Sequence, residues 1–209
     1  MKKILILFAT IFLLAGFNKL EASHIPGANI TWTCNPNNPL EYTFTLTLFR
    51  TCPGTHPSTM SASYFEITNT CGLTNPVVPT FNQVGQPVDI NQICPGQQSS
   101  CQGTITFPAN CDSWNINFDL CCRDASTNTN GGSGNNVYVE SSLNTVTAPC
   151  NNSSVVTAQP IPYYCAGQTS TYCVTSTDAE GDSLYYVLVS PQGGNGAIIT
   201  HPTPYSVGS

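Results

Sequence analysis

The chain has 209 residues, a net charge of −6, 40% hydrophobic residues and only 8% charged ones. All three lysines fall in the first 19 positions, so Arg50 and Arg123 are the only cations beyond them. A surface with no basic patch cannot neutralise phosphates, which argues against nucleic acid and against an anionic lipid surface as partners.

The first element is an export signal. Lys2 and Lys3 form a short positive region, Ile4 to Phe17 is an apolar run broken by Thr10, and Leu20 and Ala22 occupy the −3 and −1 positions of a cleavage site. That order is the pattern of a secretory signal peptide, assigned to residues 1–22. The apolar run is shorter than the roughly 20 residues that a spanning helix needs. Cleavage removes three lysines and Glu21, which takes the net charge from −6 to −8. No later run is long and apolar enough to span a bilayer, so no transmembrane segment is expected in the mature chain.

Short strands follow. Tyr42, Phe44, Leu46 and Leu48 alternate with Thr43, Thr45 and Thr47, the period of a half-buried strand. Cys52-Pro53-Gly54 then reads as a turn. Residues 63–68 and 103–107 repeat the alternation, with Phe65, Ile67, Ile105 and Phe107 inward. In residues 113–123, Trp114, Ile116, Phe118, Leu120 and Cys122 share one face, while Asn115, Asn117, Asp119, Cys121 and Arg123 share the other. Cys121 and Cys122 are therefore expected to bond to different partners, and Asp119 to pair with Arg123. Residues 126–136 form a polar loop, and 137–140 and 153–158 are further strands.

A second unit begins after Cys150-Asn151-Asn152. Gln159-Pro160-Ile161-Pro162 reads as an edge segment. Residues 172–177 and 184–189 read as two strands joined by Asp178-Ala179-Glu180-Gly181-Asp182. So few strands cannot close a sandwich, so this unit either completes itself on another chain or continues beyond Ser209. No stretch of the mature chain shows a 3.6-residue apolar stripe. Many short strands between Gly, Pro and Asn turns predict an all-β sandwich or barrel.

All eleven cysteines lie beyond the signal peptide: Cys34, Cys52, Cys71, Cys94, Cys101, Cys111, Cys121, Cys122, Cys150, Cys165 and Cys173. At this density in an exported chain they read as disulfide candidates, with one thiol left over or bonded to another chain. No C-x-x-C occurs, and His24, His56 and His201 are scattered, which argues against zinc.

Several of these pieces, in this order, resemble the N-terminal region of secreted adhesin-like surface proteins of Bacteroidota, the class with a gliding-motility-associated C-terminal sorting domain and type IX secretion. The matching stretches are Ser23-His24-Ile25-Pro26-Gly27, Ile30-Thr31-Trp32-Thr33-Cys34, Tyr42 through Cys52, Cys121-Cys122-Arg123-Asp124, and Thr177 through Tyr186. The resemblance implies a disulfide-rich β-sandwich over residues 23–150, followed over 151–209 by a partial repeat of cadherin-like or immunoglobulin-like type. It also implies surface display or adhesion, with other surface proteins or glycans as partners. The sorting domain itself is absent from this sequence.

Candidate chemistry is sparse. Asp178, Glu180 and Asp182 place three carboxylates within five residues. They are candidate calcium ligands, since that cation takes six to eight oxygens, and otherwise the acids of a plain Gly-containing turn. No nucleophile elbow or acid–base pair stands out, so no catalytic residue, no enzyme activity and no other cofactor is expected. Asp112, Asp119 and Asp124 could pair as glycosidase acids only on the strength of proximity in sequence. Arg50 and Arg123 read either as a carboxylate clamp or as structural ion pairs. Trp32, Tyr138, Tyr163, Tyr164, Tyr185 and Tyr186 could form a sugar-stacking platform or pack in cores and edges. The expected function is a non-enzymatic extracellular adhesion or structural module of the cell envelope. The alternatives are a carbohydrate-binding module and a filament subunit that self-associates by β-strand exchange.

Overall fold

The computed structural model describes residues 25–51, 57–90, 96–121, 123, 135–158, 169 and 171–199. The expected signal peptide, the three histidines, the expected 159–162 edge segment, and Cys52, Cys94, Cys122, Asp124, Tyr163, Tyr164 and Cys165 lie outside these residues. Among the described residues no helix is long and apolar enough to cross a membrane.

The chain is an all-β sandwich of antiparallel sheets. Its strands are β1 (Gly27–Asn35), β2 (Asn38–Thr51), β3 (Thr59–Met60), β4 (Phe65–Asn69), β5 (Phe81–Asp89), β6 (Gly96–Thr106), β7 (Trp114–Leu120), β8 (Val137–Leu143), β9 (Val155–Val156) and β10 (Ser176–Thr177). One sheet runs β1-β2-β6-β5-β3, a second runs β4-β7-β8, and β9 and β10 form a separate two-stranded ribbon.

The alternation in β2 does what its period requires. Tyr42, Phe44, Leu46 and Leu48 are all 0% exposed. Their neighbours face out and tie β2 to β6 through Thr43–Thr104, Thr47–Ser100 and Gln102–Thr45 hydrogen bonds of 3.1, 3.2 and 2.9 Å. The second sheet closes on the first through rings. Phe65 of β4 stacks on Phe81 of β5 at 4.2 Å between centroids, and Trp114 of β7 meets Phe107 at 4.8 Å. Ile67, Ile116, Phe118, Val137 and Leu143 complete the shared core. Burying each such side chain contributes about 1.5–3 kcal/mol.

Gly103 is required by this packing. A Cβ there would lie 2.6 Å from the Phe81 ring. The residues between Val84 and Val88 break the β5–β6 register, with Gly85 at φ 71°.

Several expectations need correction. Strand β1 pairs with β2 from Gly27 to Asn35, and β5 adds nine residues at Phe81–Asp89; neither shows a clean alternation in sequence. Leu120 is only half-buried, because it ends β7. Only Ser176–Thr177 of the expected 172–177 strand enters a ladder, and residues 184–189 enter none. No described strand lies beside 184–189 to accept its backbone hydrogen bonds, so it stays exposed: Tyr185 is 89% and Leu188 65% accessible.

Residues 191–199 contribute no strand and lie against the first sandwich. The Arg123 guanidinium donates to the Gln192 carbonyl at 3.1 Å. Asp119 accepts from the Asn195 amide at 2.7 Å and from the Asn136 side chain, rather than pairing with Arg123. Burial of Arg123 lowers its pKa.

Candidate functional site

The exit from the sandwich is tied by a disulfide and by side-chain hydrogen bonds. Cys150 follows β8 and bonds to Cys34 near the end of β1, with Cα atoms 5.1 Å apart and a sequence separation of 116. Cys150 sits at φ 56°, a conformation uncommon for a side chain with a Cβ. Two contacts hold it there: the disulfide, and its backbone N–H donating to the Tyr42 hydroxyl at 3.1 Å. Burial pushes the Tyr42 phenol up, and the Cys150 amide partly offsets that, so the buried hydroxyl stays protonated.

The next three residues fasten the departing chain to β1. The Ser153 amide donates to the Trp32 carbonyl at 3.0 Å, and the Trp32 amide donates to Ser153 Oγ at 2.8 Å. The Trp32 indole reaches the Asn151 carbonyl at 3.2 Å, and the Cys34 amide donates to Asn152 Oδ1 at 2.8 Å. On the other side, Asn152 donates from its side chain and its amide to Glu180 Oε1, and Asn151 reaches Asp182 Oδ2 at 3.3 Å. Asn152 thus bridges β1 and the acidic turn.

This accounts for the carboxylates of that turn. Asp178 Oδ1 accepts from the amides of Glu180 and Asp182 at 3.1 and 3.0 Å, closing the loop around Gly181 at φ 84°. Glu180 and Asp182 face the two asparagines. The candidate calcium ligands Asp178, Glu180 and Asp182 do not gather their oxygens into one set of neighbours. The one cluster of metal-ligating types among the described residues is Cys71, Cys111 and Asp112, and there the two sulfurs are bonded to each other.

The cysteines divide. Cys34–Cys150 and Cys71–Cys111 are disulfides, and Cys121 is also disulfide-bonded. Cys101 and Cys173, counted among the candidates, carry free thiols. Cys101 stands in β6 opposite Leu46 and Gln83, so no cysteine faces it across either ladder. Burial pushes its thiol pKa up. Cys173 is exposed.

The remaining candidates are spread over the fold. Arg50 is buried at the end of β2, and Arg123 is held by Gln192, so the two arginines serve different places. Asp112 accepts from Thr70 Oγ1 at 2.8 Å beside the Cys71–Cys111 disulfide. Of the aromatic candidates, Trp32 belongs to the exit and packs 5.9 Å from Phe44. Tyr138 lies on β8, and Tyr185 and Tyr186 lie in the exposed 184–189 segment. The clamp residues Asn151, Asn152 and Ser153 were missed by sequence reasoning. Their signal, a polar triplet directly after a cysteine, has no meaning until Cys34 is placed opposite it. No family model, curated protein or solved structure matches this chain.

Proposed function

We propose that this chain is a non-enzymatic protein displayed outside the cell, an adhesion or structural module of the envelope. We place it in the class of Bacteroidota adhesin-like surface proteins exported by type IX secretion. The leader-like start and the disulfides suit an exported chain. The observation that carries the reading is the braced exit. A pull on the chain after Cys150 passes through the disulfide to Cys34 and along β1, so residues 35–149 lie inside a closed covalent loop that tension between the ends cannot extend. A module built to transmit load benefits from such a bypass.

The test has two parts. A membrane-impermeant maleimide should label Cys173 on intact cells, and cells lacking the chain should attach less well to surfaces or to one another. Cells that leave the maleimide unreacted, or that attach equally well without the chain, overturn the reading.

A second reading, self-association by strand exchange, is favoured by the exposed apolar run 184–189. Light scattering over a concentration series tests it. Assembly that Leu188→Asp abolishes supports it, and a monomer at every concentration removes it.

A further inference from the structure

The outer face of the three-stranded sheet carries a second feature that the disulfide-braced exit does not use. Residues alternate across β4, β7 and β8, so that Phe65, Ile67, Trp114, Ile116 and Phe118 enter the core and their neighbours face solvent. Register places these neighbours in rows. Glu66, Asn117 and Glu140 stand side by side, as do Thr68, Asn115 and Ser142, and Asp119 stands beside Tyr138. Two recesses of about 430 and 500 Å³ open on this face and meet at Asn117, which lines both.

The recess around Asp119 is built. Asp119 spends both carboxylate oxygens on its wall, one accepting from Asn136 and the other from the Asn195 amide of the returning 191–199 segment. Tyr64 flanks the recess with its ring edge against Phe118, at 6.5 Å and 68°. Tyr138 stands on the other side, its hydroxyl donating to Glu140 Oε2 at 3.3 Å. Asn117, at the centre, makes no side-chain hydrogen bond to any described residue, so its amide presents two donors and an acceptor to solvent.

We infer that this face binds a neutral glycan, seated over Asn117 between Tyr64 and Tyr138. Sugar hydroxyls both donate and accept, and so match an unspent amide flanked by the acceptors Glu66 and Glu140. The two tyrosines supply apolar ring surface with polar tips at the ends of the recess. Neither recess is lined by a cation, so an anionic glycan would meet only carboxylates and be repelled. An ammonium group brings donors alone and would leave the Asn117 NH₂ without an acceptor. The assignment rests on the adhesive reading, for which it names the ligand class and the surface.

Isothermal titration calorimetry of the disulfide-intact chain tests it, using neutral hexasaccharides (cello-, manno- and xylohexaose), a hexagalacturonate and hexalysine. At least one neutral hexasaccharide should bind, in EDTA as well as in calcium, and hexagalacturonate should not. Asn117→Ala and Glu140→Ala should each weaken that binding about tenfold, the loss of one ligand hydrogen bond to an unmatched group, with an unchanged melting temperature showing that both variants fold. Binding of none of the neutral sugars, binding that survives both substitutions, a requirement for calcium, or binding of hexalysine in place of sugar overturns the assignment. If cells lacking the chain still lose attachment while no sugar binds, the adhesive reading stands and this one falls.

Discussion

Strand β7 and residues 184–189 are both short and rich in aromatic or β-branched residues, yet the apolar side chains of the two end in opposite environments. Trp114, Ile116 and Phe118 are buried, whereas Tyr185, Tyr186, Val187, Leu188 and Val189 are all exposed. The difference lies in the neighbours. β7 is paired on both sides, to β4 over five residue pairs and to β8 over seven, and its inner face meets the first sheet. Segment 184–189 has no ladder partner among the described residues. Apolar β-formers thus announce that a segment can be a strand, and a second strand in register decides whether it becomes one.

The sharpest way to break that comparison is to truncate a side chain in each region. Phe118→Ala should cost about 3–5 kcal/mol, since it empties a site lined by Phe65 and Tyr64. Leu188→Ala should cost under about 0.5 kcal/mol, as surface changes do. Urea denaturation of both variants checks this, and equal losses would mean that 184–189 is packed in solution.

The combined Cys34→Ser, Cys150→Ser variant should lose about 2–5 kcal/mol, chiefly through the freed denatured chain. In force spectroscopy it should also release roughly 400 Å of extra extension, since a stretched chain spans about 3.3–3.6 Å per residue over the 116 that the bond closes. Equal contour lengths with and without the bond would show that the exit carries no load through it.

Gly103→Ala comes next. The added methyl meets the Phe81 ring, and the cost of overpacking is about 1–3 kcal/mol. A melting temperature equal to that of the parent chain would mean that Phe81 moves aside freely.

The two free thiols extend the contrast between core and surface. Cys173 should react with an alkylating agent in the native protein at neutral pH, and Cys101 only after unfolding. Because burial raises the Cys101 pKa, folding keeps its full benefit below the unfolded thiol value of about 8.5. Above that value the unfolded state gives up its proton first, so stability falls as pH rises towards the folded value. Mass spectrometry of alkylated peptides and an alkaline unfolding series check the two statements.

The smallest effect is expected at the acidic turn. Asp178 is occupied by backbone amides, and Glu180 and Asp182 face Asn152 and Asn151. Millimolar calcium should therefore leave the melting temperature unchanged relative to magnesium. A calcium-specific rise that Asp182→Asn removes would recast the turn as a cation site.

Much of the sandwich was legible in the residues. The alternation at Tyr42–Leu48 and at Trp114–Phe118 named two central strands and their buried faces, because period two against a core leaves only one register. Edge strands were not legible: β5 carries Gly85 and Pro87 and buries little beyond Phe81, so its pattern is weak. The polar face of β4, β7 and β8 was half legible. Asn115, Asn117 and Asp119 were assigned outward, but that they stand beside Glu66 and Glu140 depends on strand order, which alternation does not encode.

The residues alone therefore determined the β class and which side chains of the central strands go inside, since these depend on composition and local period. Tertiary structure decided the rest. It chose Cys150 for Cys34 and Cys111 for Cys71, left Cys101 alone, and brought residues 191–199 back to Asp119. Each of these joins positions far apart in the chain, and such a meeting is set by how the sheets stack and where loops close.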